Sequence, residues 1–385
     1  MGNCKCQNLN NQSEGEANFY NKQMNNSVNQ LNVISNLNTQ NKINREDILE
    51  STLEKSNPLG SYLPMSDYKK LVNEKTLNYI ENHKINYQDY FPSSLNIYKS
   101  NPIRFKNGNI YHGYWNMDGE MEGHGIMLIK DKNVVTEGIW KKGNIIYGRI
   151  FFANNDIYEG HLQNSAPHGK GIIYFANKDI YKGDFVDGEM TGKGTFIYND
   201  KSYYIGKVTK GIFNGEGSMK WNNGTEYHGN FKDSILTGKG KMFNNIMGEK
   251  YVGNFDRNEF NENGAYTFKN GDIYEGNFEH GIKKGKGIYK RNDRVEFDVI
   301  WDDDLPNGKG VVIYDNNKIN GFWRNGIIIR KEILKGNIFV FNNIDLNLKP
   351  GKRSLCPSSL PHLNINDNET SQFVMGTEFS SEKPV

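Results

Sequence analysis

Between about residues 111 and 325, apolar and polar positions alternate with period two in short bursts separated by clusters of Asn, Asp and Gly. In Tyr181-Lys182-Gly183-Asp184-Phe185 the alternation puts Tyr181, Gly183 and Phe185 on one face of a strand and Lys182 and Asp184 on the other. A turn is expected over residues 186–191, after which Gly192-Lys193-Gly194 opens a returning strand. Both glycines are assigned to the inner face, where the lack of a side chain leaves room for neighbouring rings. Turn-forming groups then end each unit, as in Asn154-Asn155-Asp156, Asn177-Lys178-Asp179, Asn223-Gly224 and Asn270-Gly271-Asp272. One such unit is one β-hairpin.

The unit recurs at steps of 22 to 25 residues. Its opening residue is Tyr111, Tyr158, Tyr181, Tyr204, Tyr227, Tyr251 or Tyr274, with degenerate openings at Thr136, Phe297 and Ile319. Two residues on stand Gly113, Gly160, Gly183, Gly206, Gly229, Gly253 and Gly276; two further on stand Trp115, Phe185, Phe231, Phe255, Phe278 and Trp301. A Gly-x-Gly pair follows eleven or twelve residues after most openings, for example Gly169/Gly171 and Gly192/Gly194. Two units lack the pair, at Gly148-Arg149-Ile150 and Glu262-Asn263-Gly264, and a bend or a specialised contact is expected there. A single hairpin is marginal in water, whereas stacked hairpins bury a continuous core. The fold class expected is all-β, an elongated antiparallel β-hairpin solenoid of about ten repeats.

The flanks differ. Residues 1–42 are rich in Asn, Gln and Ser and are expected to form a disordered leader. Residues 43–100 are expected to hold short helices, one over 44–55 and one capped by Ser66 carrying Tyr68, Leu71, Val72, Tyr79 and Ile80 on one face, docked on the open end of the array as a cap. The solenoid is bounded at 101–345, and the polar, proline-bearing stretch 346–385 is expected to be a disordered tail.

The motif set resembles the MORN (membrane occupation and recognition nexus) repeat over roughly residues 111–325. The resemblance implies a gently twisted hairpin solenoid with a grooved face that binds proteins or membrane lipids, often in junctions, cilia or cortical structures. Some MORN proteins carry a phosphatidylinositol-phosphate kinase or a SET methyltransferase domain beside the repeats. Neither flank here has the motifs of one, so no activity follows from the resemblance.

Charge narrows the partners. Lys and Arg number 47 against 45 Asp and Glu, a net charge of +2, so nothing calls for nucleic acid. No stretch approaches the length of a membrane span, and the first 30 residues lack the apolar core of a signal peptide, so the expectation is an intracellular protein. Met1-Gly2-Asn3-Cys4-Lys5-Cys6 reads as a dual-acylation signal, with Gly2 myristoylated and Cys4 and Cys6 palmitoylated. One acyl chain binds membrane only marginally, so the cysteines would supply the second anchor.

Within the array, Lys170, Lys193, Lys239, Lys286 and Lys309 fall between paired glycines and form a candidate row for anionic phospholipid headgroups. The plainer alternative pairs them with acids such as Glu159 and Glu275 across the hairpin. Trp115, Trp140, Trp221, Trp301 and Trp323 are candidate exposed groove aromatics for recognising a partner. His112, His124, His168, His228 and His280 recur with the repeat and have no metal-ligand spacing. Gly188 to Thr195 imitates a phosphate-binding loop but has three residues between its glycines where four are needed. No catalytic set stands out, and no enzyme, cofactor or metal is expected. The leading reading is a membrane-tethered scaffold or adaptor with protein partners along the solenoid, homodimerisation being left open. The alternatives are a structural component of cilia or cytoskeleton without membrane anchoring, and a regulatory module of a phosphatidylinositol-phosphate kinase.

Overall fold

The computed structural model describes residues 60–72, 74–85, 96–336, 338–341, 344–348 and 355. The acylation signal, the leader 1–42, the helix expected over 44–55 and most of 346–385 lie outside them. A short lead-in holds β1 (Gly60–Tyr62), α1 (Met65–Leu71), α2 (Glu74–Asn82), β2 (Ile97–Lys99) and β3 (Ile103–Phe105). Ten hairpins follow: β4/β5 (Ile110–Asn116, Met121–Ile129), β6/β7 (Val134–Lys141, Asn144–Phe151), β8/β9 (Ile157–Gln163, Ala166–Tyr174), β10/β11 (Ile180–Val186, Glu189–Ile197) and β12/β13 (Tyr203–Thr209, Ile212–Lys220), then β14/β15 (Thr225–Lys232, Ile235–Asn244), β16/β17 (Glu249–Asp256, Glu259–Thr267), β18/β19 (Ile273–Glu279, Ile282–Lys290), β20/β21 (Leu305–Tyr314 returning after Glu296–Asp302) and β22/β23 (Asn317–Arg324, Ile327–Lys335). Consecutive strands pair antiparallel throughout, giving one long open sheet, with β1 and β2 added beside β3 and β4 at its start.

The register explains the repeat. Gly160, Gly171, Gly183, Gly194, Gly206 and Gly217 lie opposite one another on successive strands, part of a row of glycines that runs across the sheet until Val299 interrupts it. The tyrosine ring lies flat over this row. A Cβ on Gly183 or Gly194 would sit 2.3 Å from an atom of Tyr181, so both positions must stay bare. The ring is held there by its hydroxyl, which donates to the carbonyl three residues on: Tyr181 to Asp184 at 3.1 Å, Tyr204 to Lys207 at 2.8 Å, Tyr227 to Asn230 at 3.0 Å and Tyr251 to Asn254 at 2.9 Å.

The aromatic two residues beyond the glycine joins units together. Phe231 meets Tyr227 of its own unit edge-on at 5.2 Å and Tyr204 of the preceding unit at 5.1 Å; Phe255, Phe278 and Trp301 repeat the contact on Tyr227, Tyr251 and Tyr274. Edge-to-face pairs add about 0.5–1.5 kcal/mol each beyond the area they bury, so this column is the main cohesive element of the array. Tyr111, Tyr158, Tyr181, Tyr204, Tyr227, Tyr251 and Tyr274 are all fully buried within it. Burial raises the hydroxyl pKa values of Tyr111, Tyr158, Tyr181, Tyr204, Tyr227 and Tyr251, that of Tyr204 to about 12.

Three details differ from the sequence expectation. The hairpin turn is shorter than residues 186–191. Only Asp187 and Gly188 connect β10 to β11, both at positive φ (48° and 86°), the tight turn whose twist matches the strands. The two glycines of Gly-x-Gly also do different work. Gly194 lies under the ring, whereas Gly192 has φ 69° where the register shifts, a left-handed bulge instead of an inner-face position. Glu262 takes that same conformation, φ 53°, in one of the units lacking the pair. Finally, the core does not end at 345. Phe341, Leu346, Leu348 and Leu355 are buried in the same cluster as the repeat aromatics, although 346–385 reads as a tail. The backbone explains why. Gly188, Gly211 and Gly326 each donate from their turn to a carbonyl of the preceding hairpin, and Leu348 donates to Gly326 at 3.0 Å, adding one more rung. Trp323 donates to the Leu346 carbonyl at 3.0 Å, and Asn347 accepts from the Ile328 backbone at 3.2 Å as Asp304 of the next turn accepts from Lys283 at 2.9 Å, so this segment closes the last hairpin as a next repeat would.

Candidate functional site: the outer groove

The face opposite the tyrosines is built from the residues between the signature positions. Two rows flank the glycine row: one runs Glu137, Arg149, Glu159, Ile172, Lys182, Thr195, Ile205 and Ser218, the other Ile139, Tyr147, His161, Lys170, Asp184, Lys193, Lys207 and Glu216. A third row, Ile110, Leu128, Val135, Phe151 and Ile157, continues as Tyr174, Ile180, Ile197 and Tyr203. None of these positions is fixed by the repeat, so the groove changes character along its length.

At its start the groove is occupied by the chain's own helices. Tyr68 and Val72 of α1 and its end are buried against Ile110, Leu128, Val135 and Phe151, with Leu77, Tyr79 and Ile80 of α2 packed alongside. Helix α1 therefore lies across the sheet face, not on the open end of the array. Pro64 is its N-cap, Ser66 is inside the helix, and Leu71 is exposed. Arg149 anchors α2: it donates to the backbone oxygen of His83, its guanidinium lies 5.6 Å from the Tyr79 ring, and it bonds Glu159 at 2.8 Å with Glu137 3.7 Å away. His124 completes the cluster at 2.9 Å from Glu137. The first of the two units without Gly-x-Gly is thus where a specialised contact is made. The second holds another: Glu249 accepts from Tyr266 at 3.0 Å and from the Leu355 backbone at 2.8 Å.

Beyond Glu159 the groove is open over β8 to β14, about 1420 Å³, lined by Lys170, Ile172, Lys182, Asp184, Lys193, Thr195, Ile205 and Lys207 among others. All five lysines of the predicted row, Lys170, Lys193, Lys239, Lys286 and Lys309, are exposed on this face. Their neighbours are not the acids expected. Glu159 is held by Arg149 and Glu275 by Lys290 at 2.8 Å, because the hairpin register sets these acids in the other row. Lys170 instead bonds Asp184 at 2.5 Å, which holds that carboxyl below its usual range. Lys193 faces Lys207, Lys239 faces Asn254, Lys286 faces Ile300, and Lys309 faces Phe322.

The tryptophans are not groove aromatics. Trp115, Trp140, Trp301 and Trp323 are buried on the inner face, since the signature position they occupy points inward, and Trp221, in the turn after β13, is packed against the same core. The residue that sequence reasoning missed outright is Lys283. It stands where Met190, Phe213 and Phe260 stand in other hairpins, is 2% exposed, and its Nζ lies 4.5 Å from the Trp301 ring and 5.5 Å from that of Tyr274. Only its place in the repeat register could have revealed it.

The histidines go separate ways: His112 edge-on to Tyr68 at 5.2 Å, His228 to Ser218 at 2.7 Å, His280 to Glu259 at 3.0 Å, and His168 3.7 Å from Asp187. Among the described residues no group of three or more His, Cys, Asp or Glu is arranged to hold a metal, and no helix is long and apolar enough to cross a membrane. Gly188 to Thr195 spans a hairpin turn and the strand after it, with no helix following.

The hairpin period has a counterpart among known families. The MORN repeat matches residues 111–134, 158–180, 181–203, 204–226, 227–245, 251–273, 274–294 and 300–319. No curated protein matches the chain. Among solved structures, the TCP10 domain of Danio rerio CPAP in complex with a peptide of Danio rerio STIL is 10% identical, with 62% of this chain and 99% of that chain covered and a TM-score of 0.33. The SAS-4 (dCPAP) TCP domain of Drosophila melanogaster, in complex with a proline rich motif of Ana2 (dSTIL), is 14% identical, with coverages of 47% and 90% and a TM-score of 0.26. Eight MORN repeats are thus found along the hairpin array of this chain.

Proposed function

We propose that this protein is a non-catalytic scaffold that holds a segment of a protein partner in the open part of its outer groove. The observation that carries the reading is the chain's own use of that groove: α1 and α2 fill its first stretch through an apolar row plus one buried arginine. Past Ile157 the apolar row continues with Tyr174, Ile180, Ile197 and Tyr203, and Lys182, Lys193 and Lys207 take over from Arg149 as the charged elements. A partner segment with an apolar stripe and an acidic flank suits this surface. Acyl chains on Gly2, Cys4 and Cys6 would hold the scaffold against the cytoplasmic side of a membrane, where two chains are enough for stable anchoring.

Two measurements test the reading separately. A photo-crosslinker at Ile205 of the full chain is expected to form protein adducts in cells that disappear in a Lys193→Glu/Lys207→Glu variant. Adducts confined to lipid would give the groove to anionic headgroups instead, and adducts indifferent to the charge reversal would remove the groove from the reading. For the anchor, Gly2→Ala is expected to move the protein from the membrane fraction to the soluble one. Retention of that variant, together with an unacylated wild-type mass, would sink the tether while leaving the groove intact.

A further inference from the structure

At its centre the open groove holds a charge conflict that its own strands leave standing. Lys193 of β11 and Lys207 of β12 stand directly opposite each other, and neither makes an ion pair among the described residues. Like charges so placed repel. The acids lining the same groove are engaged elsewhere: Glu159 with Arg149 and Asp184 with Lys170, while Glu216 faces Asn230. On the same face Ile197 is 44% and Ile205 51% exposed. A segment carrying carboxylates next to bulky apolar residues would relieve both defects at once.

We propose that the chain's own C-terminal segment, residues 373–382, competes for this groove, with Glu378 and Glu382 set against Lys193 and Lys207 and the apolar residues between Phe373 and Phe379 on Ile205. Residues 356–385 carry four acids and one lysine, a net charge of −3, where the whole chain carries +2. Two of those acids and the bulky apolar residues come together in 373–382. Reach favours this end of the chain. Leu355 is held at Glu249 of β16 and Tyr266 of β17. From β16 to Lys193 there are five strand steps, about 24 Å, and rounding a strand end onto the outer face adds about 30 Å. The stretch from Leu355 to Glu378 spans up to about 75 Å, which is enough. The leader's acidic run, Glu46 to Glu54, is placed differently. From Glu54 to Gly60 of β1 the chain spans about 20 Å, whereas Lys193 lies nine strand steps from β1, about 43 Å. That run therefore falls over the stretch that α1 and α2 already fill. The inference rests on the reading of the groove given above and adds an internal competitor to it. A tethered segment acts at about 1 mM, so an intrinsic Kd of about 0.1 mM is enough to weaken an outside ligand about tenfold.

The test uses the full chain, with a fluorescent peptide of residues 363–385 as the outside ligand. The peptide is expected to bind wild type about tenfold more weakly than the Glu378→Lys/Glu382→Lys chain, whose own segment no longer competes. Adding Lys193→Glu/Lys207→Glu to that chain is expected to abolish the binding, with circular dichroism confirming that all three proteins keep the same fold. Equal affinity for wild type and the tail variant overturns the proposal, as does binding to neither, or binding indifferent to the lysine reversal. Occupancy in the intact protein is read by a photo-crosslinker at Ile205 in a mixture of isotopically light and heavy wild type. Adducts to residues 363–385 of the same chain are expected; adducts to the leader, to a second copy's segment, or none at all overturn the proposal. Protein adducts in cells alongside equal peptide affinities would sink the competitor and spare the partner site. A tenfold shift without protein adducts in cells would do the reverse.

Discussion

The two faces of the sheet follow different rules. On the inner face the seven tyrosine-led units repeat the same solution, a tyrosine over two bare glycines, closed in six of them by the aromatic of the next unit, and the residues are those of the motif. On the outer face positions one residue away vary freely, from the apolar and ionic seat of the helices to an open lysine-bearing groove within a few strands. The difference teaches where function is written in such an array. The signature residues make the rod, and the residues they leave unspecified make the surface that recognises something. Arg149 and Lys283 sharpen the point from either side, one a charged outer residue that binds the chain's own helix, the other a charged residue in an inner slot where apolar residues usually sit.

The contrast is broken most strongly by emptying the inner column. Phe255→Ala removes the ring that joins Tyr227 to Tyr251, and a loss of about 3–5 kcal/mol is expected in urea unfolding. Gly194→Ala, only a methyl group, is expected to cost about 3 kcal/mol because that methyl would fall within the Tyr181 ring. Arg149→Met tests the outer face at its most ordered point. It should cost about 1–3 kcal/mol locally, seen as faster hydrogen exchange in α1 and α2 while β12 to β19 keep their protection. If the whole array loosened instead, the helices would be part of the rod and not its first guest. Gly192 sits between these cases. Gly192→Ala should cost about 1–2 kcal/mol and Gly192→Asn no more, since the site asks first for a left-handed backbone and an added Cβ would meet the Asp184 side chain, 2.8 Å away, and not a buried ring. Equal costs at Gly192 and Gly194 would merge two roles that the structure separates.

How much of this was legible follows the same division. The tyrosine column, the glycine row and the hairpin period could be read because each recurs with fixed spacing, and period-two alternation names the face directly. Residue type suggests exposed tryptophans for recognition, but the motif position of Trp115, Trp140, Trp301 and Trp323 fixes them inward. The partners of Glu159 and Glu275 depend on the bulge at the register shift, which displaces pairing by two residues and is invisible to counting along the chain. The docking of α1, α2 and Leu355 is long-range and specified by single residues such as Arg149 and Glu249, with no repetition to reveal it.

The smallest expected effect probes the seam between the two faces by pH. His112 lies edge-on to Tyr68 of α1, and burial first, then Lys99 and His124, lower its pKa from the usual histidine value. A lowered value means that the docked state holds the imidazole neutral while the undocked state takes up a proton near pH 6.5. The stabilisation is therefore complete above that value and is lost as pH falls below it. Hydrogen exchange in α1 should accelerate between about pH 7 and pH 5, with the strands of the central repeats unchanged once the intrinsic pH dependence of exchange is removed. His112→Asn should abolish the slope. A slope that survives the substitution would assign the proton to another group of the seam, and one shared by the central strands would make it a property of the rod.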